Sequence, residues 1–514
     1  MATTLFLPLL LQLIFLSLVS SASSSNFTSI DCGASGSYKD KSGIEWETDK
    51  DYIVNGDSHV VESPDSVPEP LKTLRAFSSR KKNCYPIPVP GGGRVLVRAT
   101  FYYGNYDKKR SPPTFALQFD ANSWTTVVTS LDRLVQHEAI YDVFAEGTAV
   151  CVAQTEPGQM PFVTAIELRT LEAGMYDSVD SSYALYPSDA YDRIWAPYAA
   201  SGGLVPAKSD TSVMDPTTVK DNPPADVLFN AVSAENGSTD IVLHLSMLPA
   251  DNPVFAYVNL YFAGMSQLGS NENNSFQIYV DNEIMGTTIN PPYQSAAECW
   301  ILVTDASAST NITLRATPEA TLPPLISAME VFVARDGLSN GTDASDVEGL
   351  IALQQKFEVL QEWNGDPCLP AKYNVEWVGC SSSHVTPRVT ALYLSGYGLS
   401  GDLPDFSTLT ALETIDLSNN SITGNIPEFL GKLPNLKELN LGDNKLTGAI
   451  PSSLLKNKNI KLITCGNPDL SSSNGQKTCN NTPSSASHPN SSKIIKSSVL
   501  TVISFFLIVI VIMS

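Results

Sequence analysis

LETIDLSNNSITGNIPEFLGKLP (Leu412–Pro434) is followed one residue later by LKELNLGDNKLTGAIPSSLL (Leu436–Leu455), and the second stretch restates the first. Asn420 and Asn444 stand 24 residues apart, and Ile415, Leu417 and Ile422 recur as Leu439, Leu441 and Leu446. A period of this length with this apolar and Asn spacing is a leucine-rich repeat. Its apolar positions face a stacked core, while the Asn side chain satisfies backbone groups that the turn would otherwise bury unpaired. A looser copy begins at Leu392 (LYLSGYGLSGDLP), with Tyr397 in the Asn position. So short a stack needs caps and a neighbour to lean on. Cys368 and Cys380 bracket its entrance and Cys465 and Cys479 follow its exit, each pair an expected local disulfide.

The chain around these repeats has 514 residues, more than one ordinary core accommodates, and its 43% hydrophobic and 17% charged composition is that of folded domains. A formal charge of -21 argues against nucleic acid as a partner, because no basic patch offsets such a field. Leu5 to Val19 is an uncharged apolar run followed by small residues, which reads as a signal peptide over residues 1–22. The run Val499–Met513 would span about 22 Å as a helix, short of a roughly 30 Å hydrocarbon core. Small residues, a polar spacer and a terminal apolar tail fit a glycosylphosphatidylinositol-anchor signal better, with Ser484, Ser485 or Asn490 as the lipid-bearing residue. That predicts a membrane-attached protein at the outer face of the plasma membrane.

Secretion also sets the redox context. The cysteines form an even set, expected in disulfides, and Cys32, Cys84, Cys151 and Cys299 allow three pairings. Asn26, Asn236, Asn273, Asn311, Asn340, Asn419, Asn480 and Asn490 each head an N-x-S/T triplet and are expected glycosylation sites.

The N-terminal half is read as β throughout. Runs such as RVLVRATFYY, TFALQF and TAVCVAQ, broken by Pro and Gly, place one all-β sandwich over 23–172. FAYVNLYFAG, FQIYVDN and CWILVTD place a second over 184–335, and the endings TAIELR and SAMEVF suggest tandem duplicates. Next come a helix over Asp346–Trp363, with Leu350, Leu353, Phe357 and Leu360 on one face, and a cap, together 346–387. Repeats follow over 388–463, then a C-terminal cap (464–479), a Ser-rich stalk (480–498) and the anchor signal (499–514). The fold class is thus multidomain: two tandem β sandwiches and a short α/β leucine-rich-repeat solenoid.

Catalytic spacings are missing. His137 and Glu138 open an H-E-x-x-H pattern, but Tyr141 fills the second His position, and neither a metal nor a cofactor is expected. Sugar binding has more support. Tyr102, Tyr103, Tyr106 and Asp107 combine rings that stack on a sugar face with a carboxylate that takes hydroxyls. The competing reading puts Tyr102 or Tyr103 in the core and makes GNYD a turn. On the repeats, Asp416 and Ser418 in one copy and Glu438 and Asn440 in the next are expected on the concave face, where a peptide or another receptor docks.

Six motifs carry a resemblance. IDCGASGSYKDKSGIEW (Ile30–Trp46), LRAFSSRKKNCYPIPV (Leu74–Val89), FYYGNYD (Phe101–Asp107), YDRIW (Tyr191–Trp195), NLYFAGMSQLGSNENNSFQIYVD (Asn259–Asp281) and LPPLISAMEVF (Leu322–Phe332) resemble the plant malectin-like domain. WNGDPCLP (Trp363–Pro370) with WVGC (Trp377–Cys380) is similar to the junction into leucine-rich repeats in plant receptor-like kinases. The run after the repeats reads as an anchor signal, so no kinase is expected there, and the chain departs from the family's frequent HFAE in having Tyr261, Phe262, Ala263 and Gly264. The resemblance implies a non-enzymatic recognition exterior. It would bind a wall carbohydrate or a signalling peptide, or pair with a receptor-kinase ectodomain that supplies the cytoplasmic output. A passive surface component is the alternative, and a glycan-processing enzyme a more distant one.

Overall fold

Strand alternation decides where each face of the first domain points. In this computed structural model, residues 27–471 are described apart from 144–145, 173–174, 177–188, 190, 194, 196–202, 236–239, 247, 335–338, 340, 362 and 383–385, together with 511–512. The first ten strands considered are β1 (Phe27–Asp31), β2 (Tyr38–Lys39), β3 (Glu45–Thr48), β4 (Lys82–Pro88), β5 (Gly93–Phe101), β6 (Thr114–Phe119), β7 (Asn122–Val128), β8 (Val135–Val143), β9 (Gly147–Gln154) and β10 (Ala165–Thr170). They form a sheet in the order β8-β5-β10-β1-β3-β2 packed on a sheet in the order β4-β9-β6-β7. On β5, Val95, Val97, Ala99 and Phe101 enter the core between the sheets, so Leu96, Arg98 and Thr100 point outward from it.

The second sandwich repeats this plan. Its strands are β11 (Asp240–His244), β12 (Val254–Phe262), β13 (Phe276–Val280), β14 (Glu283–Ile289), β15 (Ala297–Ala306), β16 (Asn311–Ala316) and β17 (Ala328–Ala334). The sheets run β11-β16-β13-β14 and β15-β12-β17, with residues 511–512 beside β17. Ala256, Val258, Leu260 and Phe262 are buried between the sheets; Tyr257, Asn259 and Tyr261 point the other way. The similar endings TAIELR and SAMEVF occupy matching places, since Glu167 faces Arg98 on β5 and Glu330 faces Asn259 on β12.

Helix α1 (Ala344–Lys356) begins at Asp343, whose carboxylate accepts from Ser345 N. It is shorter than the sequence suggests because Phe357 leaves the helical region (φ -114, ψ 108) and a 3-10 turn, Glu358–Leu360, brings Leu360 back to the same face. Leu350, Leu353, Phe357 and Leu360 are all buried against the repeats. The solenoid then lays down β18 (Val378–Cys380), β19 (Val389–Tyr393), β20 (Thr414–Asp416), β21 (Glu438–Asn440) and β22 (Lys461–Ile463) in that spatial order. Ile415, Leu417, Ile422, Leu439, Leu441 and Leu446 are fully buried, each contributing about 1.5–3 kcal/mol.

The disulfides correct one expectation. Cys84 on β4 lies directly opposite Cys151 on β9 and the two are bonded, while Cys32 and Cys299 are free thiols. Those two belong to different sandwiches, so no bond joins them. Cys368 is bonded to Cys380, and Cys465 is disulfide-bonded, Cys479 lying outside the described residues. The junction loop WNGDPC rests on the Cys84–Cys151 bridge. Asn364 Oδ1 accepts from Cys84 N at 3.2 Å, and a Cβ on Gly365 (φ +79) would come within 2.5 Å of Cys84 Sγ. Asp366 accepts from Thr342, Cys368 and Leu369 amides at 2.7–2.9 Å, and Lys82 Nζ donates to the Asp366 and Leu369 carbonyls. Burial pulls the Lys82 ammonium down to about 8.

Candidate functional site

The repeat strands bring the four expected concave-face residues onto one surface. Thr414, Glu438 and Lys461 lie in one row across β20, β21 and β22, and Tyr393, Asp416, Asn440 and Ile463 in the next. Buried Ile415 and Leu439 sit between the rows. Asp416 Oδ1 accepts from Ser418 N at 3.0 Å and Ser418 Oγ at 2.7 Å, and Asn440 Oδ1 accepts from Gly442 N at 3.1 Å, so part of their capacity is spent locally. Glu438 pairs with Lys461 at 2.7 Å, an exposed pair worth at most about 1 kcal/mol. Tyr393, 51% exposed, was not singled out in the sequence. Its signal is positional: it stands in register with Asp416.

The aromatic cluster is placed differently. Tyr103 is fully buried and Tyr106 nearly so, both against Phe162 with ring centroids 6.3 and 5.8 Å away. Tyr103 continues the inward parity of Phe101, and its hydroxyl bonds Asp107. Gly104 (φ 48) and Asn105 (φ 51) then turn the chain, as the GNYD reading anticipates. The expected sugar platform is therefore corrected: Tyr103 and Tyr106 present no ring face, which leaves half-buried Tyr102 alone.

A cavity of 350 Å³ opens in the second sandwich between Ser233, Met265, Ser266, Asn274, Tyr293 and Leu322. Asn274 Oδ1 is buried there without a partner, and the Tyr293 hydroxyl donates to Asp210 at 2.8 Å. Gly264 borders it. A Cβ at Gly264 would meet the Pro292 and Pro291 carbonyls at 3.1 and 3.2 Å, so this position has little room for a side chain.

Between the sandwiches lies a buried charge cluster that the sequence reading did not identify as such. Arg98 bonds Glu138 at 2.6 Å and Glu167 at 3.1 Å; Arg169 bonds Glu167 at 2.7 Å. Asp192, from YDRIW, reaches both cations, Arg169 at 2.9 Å and Arg98 at 3.3 Å. The next residue turns to the other sandwich. Arg193 bonds Asp189 at 2.6 Å, the Asp221 carbonyl at 2.8 Å and the Tyr176 hydroxyl, with Glu330 at 3.9 Å. Tyr261 donates to Glu330 at 2.6 Å. Burial pushes Glu138 up to about 7 against the pull of Arg98, and pushes Glu298 up to about 7 with Asp221 adding to it.

Of the sequon residues, Asn419 is exposed and Asn273 and Asn311 half-buried; Asn26, Asn236, Asn340, Asn480 and Asn490 lie outside the described residues, as do Ser484 and Ser485. Among the described residues no helix is long and apolar enough to cross a membrane.

Residues 30–334 match the malectin-like domain family and residues 410–456 a two-copy leucine-rich repeat. A leucine-rich repeat receptor-like serine/threonine-protein kinase of Arabidopsis thaliana is 32% identical over 446 residues, covering 80% of this chain and 50% of the relative. A second Arabidopsis thaliana receptor-like protein kinase is 34% identical over 431 residues, covering 78% and 48%. The chain thus spans about half the length of these relatives. Among solved structures, the ANXUR1 extracellular domain from Arabidopsis thaliana superposes with a TM-score of 0.52 at 15% identity, over 60% of this chain and 97% of that one. The complex of the plant peptide RALF23 with FER and LLG2 contains a chain that superposes at 0.50 with 17% identity, over 60% and 96%. Both likenesses concern the fold. With its tandem sandwiches inside the matched span and its repeats beyond it, the chain belongs to the malectin-like domain family.

Proposed function

We propose that this chain is a cell-surface recognition ectodomain that binds a signalling peptide or the ectodomain of a receptor kinase, without catalysing a reaction. The observation that carries this reading is the repeat face, where exposed Tyr393 joins Asp416, Asn440 and Ile463 in one row beside Thr414, Glu438 and Lys461. The family context supports it, since the relatives are receptor-like kinases. So does the state of one buried carboxylate cluster: Glu138, Glu167 and Asp192 are held by Arg98 and Arg169. The face is small. Five strands about 4.8 Å apart, four of three residues and one of five, cover on the order of 300 Å², well below the roughly 800 Å² per partner of a standard interface. A partner therefore engages further surface as well.

Wall carbohydrate is the second reading, carried by the 350 Å³ cavity with Tyr293, Asn274, Ser233 and Ser266 in its lining. The protein acts at the outer face of the plasma membrane, held by a lipid anchor. The deciding experiment is a binding screen of the secreted, glycosylated chain against receptor-kinase ectodomains, peptides and wall oligosaccharides. Binding lost with Tyr393→Ala or Asp416→Ala supports the repeat face. Binding of an oligosaccharide alone, lost with Tyr293→Ala, replaces it with the cavity. Release from membranes by phosphatidylinositol-specific phospholipase tests the anchor.

A further inference from the structure

The two sandwiches share a plan, and comparing the same side of each singles out one strand. β8 and β15 are the edge strands of the sheets that carry Arg98 and Asn259, and β7 and β14 are edges of the opposing sheets. In the first sandwich that side is shut. Trp124 of β7, 8% exposed, lies edge-on to Phe119, and its Nε1 donates to the Glu138 carbonyl of β8 at 3.3 Å. Residues Glu138 to Tyr141 are buried with it.

In the second sandwich the corresponding side is open. Both hairpins turn at a left-handed Asp, Asp120 and Asp281, each at φ 47. Counting from those turns, Met285 takes the place of Trp124, with Gly286 beside it, and a Cβ on Gly286 would touch only Cys299 Sγ, at 3.7 Å. Trp300 and Leu302 on β15 are 53% and 40% exposed. The ladder from β15 to β12 is regular between Ala297 and Val303. Among the described residues, no main-chain group of residues 299–305 bonds outside that ladder, save a 4.0 Å contact from Cys299 Sγ to the Trp300 carbonyl. Natural sheets guard such edges with Lys, Pro or a covering side chain. AECWILVTDA has neither Lys nor Pro, and among the described residues of β14 none matches Trp124.

Charge indicates the occupant. β12, β14 and β15 contain no Lys or Arg, whereas exposed Glu283 and Asp305 lie on β14 and β15, in a chain of formal charge -21. The geometry points to β15 as the docking edge for an extended cationic peptide segment, which adds as a further strand and lays apolar side chains against Trp300 and Leu302. This rests on the reading of the chain as a binder of polypeptides, but at a surface separate from the repeats.

The test uses the full glycosylated chain and a ten-residue peptide alternating Lys and Phe, matched to the ten residues of β15. Two further versions carry N-methyl groups on alternate amides, one in each register. The unmodified peptide is expected to bind and to slow amide exchange across Trp300–Val303 by about tenfold or more. N-methylation should abolish this in one register only, and Leu302→Lys should weaken binding by about tenfold. Leu302 is partly exposed, and an unchanged melting curve checks that the variant folds. Unaltered exchange in β15, or equal binding of all three peptides, overturns the assignment. So does a dimer that Leu302→Lys splits, which would give the edge to a second copy. Binding sensitive to Tyr393→Ala but not to Leu302→Lys overturns this edge and leaves the repeat face standing; the converse result supports the edge and removes the repeat face.

Discussion

Replacing Asn444 by Ala should loosen the solenoid at one identifiable atom. Asn444 Nδ2 donates to the carbonyls of Leu417 (2.9 Å), Leu441 (3.3 Å) and Gly442 (3.1 Å), and its Oδ1 accepts from Ile422 N at 3.0 Å. The carbonyls have a reserve: Leu417 O keeps Asn420 Nδ2, Leu441 O keeps Asn467 Nδ2, and Gly442 O keeps Asn419 N. A lone N–H has none, so the buried Ile422 amide is orphaned at about 1–3 kcal/mol, and three weakened carbonyls add about 1 kcal/mol in all. The sum, about 2–4 kcal/mol, corresponds to opening about 30- to 1000-fold more often. Amide hydrogen exchange at Ile422 reads this directly, with exchange in the first sandwich unchanged. Asn444→Asp should be worse than Ala, because it keeps the acceptor but turns a carboxylate toward three carbonyls. A tolerated Asp, or an Ile422 amide that exchanges as in the parent, would refute the reasoning.

Stability should fall between pH 5 and pH 8. Glu298 is raised from 4.5 to about 7 chiefly by burial, so its contribution is complete below the unfolded value and is lost as pH rises through about 7. Its share of the fall is about 3 kcal/mol; Glu138, raised alike, keeps its own share, so Glu298→Gln should shrink the fall in thermal melts without abolishing it, and an unchanged profile would remove Glu298 as a contributor. Gly365→Ala combines a left-handed backbone with a 2.5 Å approach to Cys84 Sγ, so it should cost at least about 2 kcal/mol and expose the junction to limited proteolysis. Asp192→Ala leaves Arg169 and Arg98 short of a buried carboxylate and should destabilise by about 3–5 kcal/mol, measured by denaturant unfolding. Arg193→Met, which keeps most of the volume, should cost less than Asp192→Ala if the first cluster dominates.

The repeats were legible because their constraint is local. Asn420 and Asn444 bond groups within one turn and its neighbour, so spacing alone reveals them, and Asn467 continues the series 23 residues on with the same bonds. The β halves were legible as strands, and the helix face was read correctly although Phe357 ends the helix early. Of the two readings of the tyrosines, burial follows the one that puts Tyr103 in the core, because parity extends past the last paired residue: Tyr103 follows Phe101 inward although the strand ends there. Pairing of Cys84 with Cys151 depends on which strands become neighbours, and no periodicity encodes that. The same holds for the Arg98 cluster, whose members lie on three strands and a linker.

Asp192 carries one more consequence. Its backbone is left-handed, φ 56, a conformation that Gly, Asn and Asp accept far more readily than other residues. Its carboxylate must also stand between two guanidinium groups. Gly and Asn meet the first demand without the second, and Glu meets the second without the first. Aspartate answers both, so this position in the linker between the two sandwiches is one that Gly, Asn and Glu each fill only in part.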